Sequence, residues 1–413
     1  MKNKVQMEHK RNLKNTTDST EGILEQLKKH VWKNKSKKAD EQEEEETQSQ
    51  KSPVFSKKRD KIYVTMLGTS GTGKTSYLSG VNQTLIREPD TRIRLKVKGE
   101  ENQRDIANIA MVHGTEIRDF PSGTNETKAY ELVLCNGNQE CCEFEFWDYR
   151  GALVNESELG MGEGAEVEAF REHLVKSDVI LVFVDGVRAS VYSDADERAM
   201  ECQAGIIKHI FSSVLGNSEK KYDVVMVVTK IDDVYVSQSH KENDYEKLCD
   251  KVMEIFKVIR DSSNSFAIIP VSAVGEGRTT TKEIMIEGRM SWKASLKNRN
   301  KVLKPENVDL VILYACRRIL QKRIERWNRE SEEQFEECQR LEVENAKKFT
   351  VDKTAQKKIQ ELLEERTEKQ KLIDDLKENI EDMEWTFRDK FRRFVKYEKN
   401  PELAFEGDDV DEL

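Results

Sequence analysis

The segment Gly68-Thr69-Ser70-Gly71-Thr72-Gly73-Lys74-Thr75 has the residue types and spacing of a loop that wraps phosphates. Its glycines let main-chain N–H groups converge on an anion at a helix N-terminus, where the helix dipole adds to the attraction. The Lys74 ammonium would pair there with β- and γ-phosphates, and the Thr75 hydroxyl would ligate magnesium, with Ser76 beside it. An apolar run at 61–67 precedes the loop and a helical pattern at 75–87 follows it, which is the context such a loop needs.

Two further groups supply carboxylates. Phe144-Glu145-Phe146-Trp147-Asp148 reads as a strand ending in an acid, and Asp148-Tyr149-Arg150-Gly151 has the form Asp-x-x-Gly. Asp148 would hold a magnesium-bound water, and the Gly151 N–H would sense a γ-phosphate. Thr229-Lys230-Ile231-Asp232 follows the buried-strand run at 224–228. A carboxylate there accepts from both N1–H and the 2-amino group of guanine, a pair adenine does not offer. Lys230 would pack along the base plane, and Ser272-Ala273, after the strand run 266–271, would offer a main-chain N–H to the guanine oxygen.

In this order the four motifs resemble the sequence boxes of P-loop GTPases of the translation-factor (Ras-like) class, over about residues 59–323. The resemblance implies binding of GTP and GDP, magnesium as cofactor, and hydrolysis to GDP and phosphate. It also calls for a magnesium-binding threonine. Thr124 in Asp119-Phe120-Pro121-Ser122-Gly123-Thr124 is the first choice, with Thr127 and Thr115 behind it. A Pro-x-Gly-Thr segment before a hairpin is similar to bacterial GTPases of the double-GTPase type. One departure bears on rate. The residue after Gly151 is Ala152, which cannot orient water, so intrinsic turnover is expected to be slow. Arg150 could supply transition-state charge in cis, although pairing with a surface carboxylate is the plainer expectation.

The elements that must position these residues alternate between strand and helix. Uninterrupted apolar runs at 179–184, 224–228 and 266–271 alternate with helical patterns at 165–176, 198–215 and 245–259. This predicts an α/β fold with a mainly parallel sheet covered on both faces. Asn136-Gly137 predicts a hairpin between strands at 130–135 and 141–148, and adjacent Cys141 and Cys142 are expected on opposite faces. Residues 308–320 would close the domain.

Composition assigns the remainder. Charged residues make up 36% of the chain, against about 25% typically, so part of it must be solvated helix or tail. Residues 1–58 read as a charged, disordered or partly helical arm, 324–398 as a long coiled-coil or helical-hairpin extension, and 399–413 as an acidic disordered tail. Ile373, Leu376, Ile380, Met383 and Phe387 keep 3-4-3-4 spacing, a seam for pairing with self or another protein. A basic insertion at 276–305 carries eight Lys/Arg around Trp292 and is expected as a solvated loop. The net charge of −9 gives no reason to expect nucleic acid. Seven cysteines without Cys-x-x-Cys spacing point to reduced thiols and a cytoplasmic protein. Two other functions fit: a nucleotide-gated scaffold with little turnover, and a dynamin-like GTPase meeting a membrane surface, the lesser reading.

Overall fold

The computed structural model describes residues 61–87, 89, 91–112, 120, 127–151, 153, 165–216, 220–232, 241–286, 289–297, 303–346 and 353–399. The arm at 1–58, Thr115, Thr124, Ala152 and residues 400–413 lie outside these.

Along the chain, β1 (Ile62–Leu67) leads through the glycine loop into α1 (Lys74–Val81), extended by a π-helical turn at Asn82–Arg87. Then come β2 (Ile93–Val97), α2 (Glu100–Val112), β3 (Lys128–Asn136), β4 (Gln139–Asp148), α3 (Ala165–Lys176) and β5 (Val179–Asp185). The short helices α4 (Gly186–Val191), α5 (Ala195–Glu201) and α6 (Ala204–Ile210) precede β6 (Asp223–Thr229), α7 (Lys241–Ser262) and β7 (Ser265–Pro270). The chain continues with β8 (Thr279–Ile286), β9 (Arg289–Leu296), α8 (Val308–Ala346), α9 (Lys353–Phe394) and β10 (Lys396–Lys399).

Eight strands form one sheet in the order β10-β7-β6-β5-β1-β4-β3-β2. The five from β7 to β4 are parallel, while β3, β2 and β10 are antiparallel additions. The pattern of β5 and β6 explains why the middle is parallel. Val179, Leu181, Phe183, Val225 and Val227 face a core shared with α1, α8 and α9. Ile180, Val182, Val184, Val224, Met226 and Val228 face a second core under α3, α6 and α7. Every residue of β5 and β6 is buried, so neither face tolerates a polar residue mid-strand.

Helices α8 and α9 pair antiparallel within the chain. Moving outward from the sheet, Lys390 meets Asp309, Glu384 meets Arg317, Lys369 meets Glu330 and Lys358 meets Glu337. The stripe Ile373, Leu376, Ile380, Met383, Phe387 and Phe391 is buried in the first core, so of the two alternatives, coiled-coil seam or helical hairpin, the chain forms the hairpin with itself. The boundary placed at 323 falls inside the unbroken α8. Lys396–Lys399, expected as helix end and tail, instead adds a strand to the edge of β7, with the Lys399 ammonium donating to the Ser263 carbonyl at 2.6 Å.

Three other expectations change. The basic insertion contains an antiparallel hairpin, β8–β9, outside the main sheet. The helix expected at 198–215 breaks at Gln203, whose φ is 51°. The β3–β4 register slips between Leu134 and Cys135, which pair with Cys142 and Glu140. Such a bulge turns neighbouring side chains to one side. Cys141 and Cys142 are therefore both in the first core, where the Cys141 thiol donates to Asn379 Oδ1 of α9 at 3.2 Å. All seven cysteines are free and buried. Among the described residues no helix is long and apolar enough to cross a membrane.

Candidate functional site

Strand β1 delivers Gly68 to the C-terminal edge of the sheet, and the chain turns there at once. A Cβ on Gly68 would lie 2.8 Å from Thr72 Oγ1 and 3.0 Å from Phe183 Cβ, so the turn closes only around glycine. Gly73, at φ 91°, is the left-handed residue preceding α1. The Thr72 hydroxyl donates to the Thr69 carbonyl at 2.9 Å, which closes the loop on itself. Thr69 and Thr72 are buried while Ser70 and Gly71 are exposed, so the loop has a fixed floor and an open rim. Thr75 and Ser76 sit in the first turn of α1.

Lys74 is 6% exposed, and its ammonium donates to the Gly68 carbonyl at 2.6 Å, with Thr69 O at 3.4 Å. Burial pushes its pKa below the ordinary lysine value, and the Asp148 charge opposes that shift. A buried ammonium resting on loop carbonyls is a charge for which a phosphate is the stronger partner. Asp148, fully buried at the end of β4, is in register with Met66 of β1, two residues before Gly68. Thr75, in the first turn of α1, and Asp148, at the end of β4, carry hard oxygens, a donor type that suits magnesium, which keeps waters and shares its sphere with substrate phosphates. Among the described residues no group of three or more His, Cys, Asp or Glu gathers to hold a metal.

Gly151 approaches the phosphate loop closely: a Cβ there would lie 2.4 Å from the Ser70 nitrogen and 2.6 Å from Ser70 Cα. Arg150 pairs with Glu166 of α3 at 3.2 Å, and the Thr127 hydroxyl donates to the same carboxylate at 3.0 Å. The cis charge considered for catalysis is thus engaged with a surface carboxylate, and Thr127, a secondary choice for the switch, faces α3. Tyr149 is buried between Trp147 and Phe170.

The Thr229 segment, expected to read a base, is tied to the glycine loop by one hydroxyl. Thr229 Oγ1 donates to the Thr72 carbonyl at 2.7 Å and lies 3.1 Å from Val184 O, bridging β5, β6 and the glycine loop. Lys230, at φ 60°, extends to Asp185 Oδ2 at 2.6 Å. Asp185 also accepts from the Val187 and Arg188 N–H groups that open α4. Asp232 accepts from the Ser272 hydroxyl on one oxygen and from the Thr279 hydroxyl, at 2.6 Å, on the other. Ala273 lies against α1, its Cα 3.5 Å from where a Cβ on Gly80 would stand. Asp185, Glu166 and Thr279 were not foreseen. Asp185 had a legible signal, an acid closing a buried strand, whereas Thr279 lies in an insertion with none.

Because β1, β4, β5, β6 and β7 are parallel, Gly68, Asp148, Asp185, Thr229 and Ser272 all emerge at one edge, where open α/β sheets bind ligands. One parallel neighbour on each side of β1, β5 and β4, with the antiparallel hairpin strand β3 beyond β4, completes the arrangement. The fold is a mainly parallel eight-stranded α/β sheet covered by helices on both faces, the architecture expected of a P-loop GTPase domain.

No family model and no curated protein matches the sequence. Among solved structures the chain is similar to the S. cerevisiae Ski7 GTPase-like domain bound to GDP and inorganic phosphate. That match has 15% identity and a TM-score of 0.32, over 52% of this chain and 43% of that one. It is also similar to sup35 complexed with GDP, at 11% identity and a TM-score of 0.27, over 55% and 41%. A third is Toc33 from Arabidopsis thaliana, at 13% identity and a TM-score of 0.26, over 54% and 74%. The chain spans under half the length of the first two.

Proposed function

We propose that this chain binds GTP and GDP with magnesium and hydrolyses GTP slowly, as a switch. The observation that supports this most is the Thr229–Thr72 hydrogen bond, which holds the phosphate loop and the base-reading segment at a fixed spacing on one sheet edge. In this reading the loop N–H groups from Gly68 to Gly73 and the Lys74 ammonium hold the phosphates. Thr75, Thr124 and Asp148 would hold magnesium, which when bound would supply positive charge beside the phosphates. Gly151 donates its N–H toward the γ-phosphate, and Asp232, with Lys230, Ser272 and Ala273 around the base, selects guanine. Hydrolysis releases the γ-phosphate contact, and the segments near Thr124 and Gly151 relax with it.

A second reading, a scaffold that binds nucleotide with little turnover, is favoured by Arg150 pairing with Glu166 and by Ala152 following Gly151. A partner would then read the outer part of the helical pair, where Phe335 and Leu363 are exposed. We propose a cytoplasmic location, a reading its free thiols support.

Single-turnover phosphate release separates the two. The switch gives measurable release that Lys74→Ala abolishes, whereas the scaffold binds GTP and returns it intact. Asp232→Ala should abolish guanine-nucleotide binding, and Asp232→Asn should relax base choice first. Release unaffected by Lys74→Ala would contradict both assignments.

A further inference from the structure

The carboxylate at 232 is held from two sides. Its Oδ1 accepts from the Ser272 hydroxyl at the end of β7, and its Oδ2 accepts from Thr279 Oγ1, 2.6 Å away at the start of β8. Ser272 is fully buried and Thr279 is 4% exposed. The Ser272 oxygen is itself fixed, because it accepts from the N–H groups of Gly275 at 2.8 Å and Val274 at 3.2 Å. Its proton is thereby directed at Asp232.

The chain gets from one hydroxyl to the other by a turn that glycine makes possible. Gly275 sits at φ 95°, and a Cβ there would lie 2.2 Å from the Lys304 carbonyl oxygen. Gly277 follows at φ 64°. Behind the turn, Lys297 N–H donates to the Arg278 carbonyl at 2.7 Å and closes the foot of the β8–β9 hairpin next to Thr279. The second hydroxyl is therefore supplied by a packed foot and not by a free loop.

An ionised carboxylate has about four acceptor positions. Two protein hydroxyls on different oxygens fix the plane of the group. Holding a recognition group in its bound pose before the ligand arrives lowers the cost of binding. Taking the guanine reading of Asp232 given above, we infer that Thr279 is a positioning residue for base selection. It locks the carboxylate plane so that N1–H and the 2-amino group are accepted together. The hairpin inserted after β7 then has a definite task at the nucleotide site.

The experiment is a titration of the full chain with GDP and with inosine diphosphate, which lacks only the 2-amino group, at millimolar magnesium. Wild type is compared with Thr279→Val, Thr279→Ser and Asp232→Ala. Thr279→Val should weaken GDP about tenfold, the worth of one hydrogen bond to a charged acceptor. It should weaken inosine diphosphate about two- to threefold, so discrimination between the two shrinks, and Thr279→Ser should restore both. Equal losses for the two nucleotides would make Thr279 a general packing residue and overturn the inference, as would a valine variant that binds GDP like wild type. If Asp232→Ala binds GDP normally, the guanine reading itself falls and takes the inference with it. If Asp232→Ala loses GDP while Thr279→Val does not, only the role of Thr279 is lost.

Discussion

Gly151→Ala tests whether the segment after β4 senses the γ-phosphate. The added Cβ would stand 2.4 Å from Ser70 N, 2.6 Å from Ser70 Cα and 2.7 Å from Thr69 C. Ordinary contact begins at 3.4 Å, so the overlap is about 1 Å, and every atom it meets is backbone. One side must move. The phosphate loop is held by the Thr72–Thr69 bond, by Thr229 on the Thr72 carbonyl and by the Lys74 ammonium on Gly68. Among the described residues, the residue-151 segment is held by the Leu153 N–H on the Arg150 carbonyl at 3.1 Å and by the Arg150 pair with the half-exposed Glu166, both weaker ties than those on the loop. It should yield, carrying its N–H about 1 Å off the γ-phosphate position. Misplacement on that scale costs about a hundredfold in rate. Single-turnover GTP hydrolysis should therefore fall about a hundredfold, while GDP, which has no γ-phosphate, binds within about threefold of wild type. Hydrolysis at the wild-type rate would refute the reasoning. So would equal losses in hydrolysis and GDP affinity, because the phosphate loop would then be the side that moved.

Two predictions concern the helical pair and the strand it returns. The Arg317 side chain, 4% exposed, pairs with Glu384 at 2.5 Å and lies 3.8 Å from Glu398 of β10. Removing one partner of a buried pair costs about 3 kcal/mol or more, so Arg317→Ala should lower Tm by roughly 6–12 °C; a melt within 2 °C of wild type would contradict that role. Burial raises the Glu398 pKa above its ordinary 4.5, against the opposing charge of Arg317. A raised carboxyl pKa means stability present below about pH 4.5 and lost as pH rises through the folded value. Wild-type Tm should therefore fall relative to that of Glu398→Gln between pH 4 and 8, and a constant or opposite difference would refute the assignment.

The legible parts of the molecule are those where a side-chain pattern has one physical cause. Strands β5 and β6 are readable because both faces are buried, and the α9 stripe because it covers a core. The glycine loop is readable because phosphate needs bare backbone. What the sequence hides is set by distant backbone. Strand β10 is Lys-Tyr-Glu-Lys, a charged run that becomes a strand because α8 and α9 bring it back to the open edge of β7. The break at Gln203 falls on a residue that is neither glycine nor proline, while Gly205 two residues on is helical. The bulge that turns both Cys141 and Cys142 inward depends on the β3 partner, and the pattern of β4 alone gives strict alternation. At the site, the Asp232 carboxylate is legible by type, while Thr279, its second holder, depends on a glycine turn inside an insertion.

The central claim is that an ammonium at 74 and a carboxylate at 232 grip opposite ends of one nucleotide. Equilibrium titration of the full chain with GDP and with ADP at millimolar magnesium tests it most directly. GDP should bind saturably and at least about a hundredfold tighter than ADP, since a site built around two base donors rejects a base lacking them. Equal affinity for the two, or no binding of either, would contradict it.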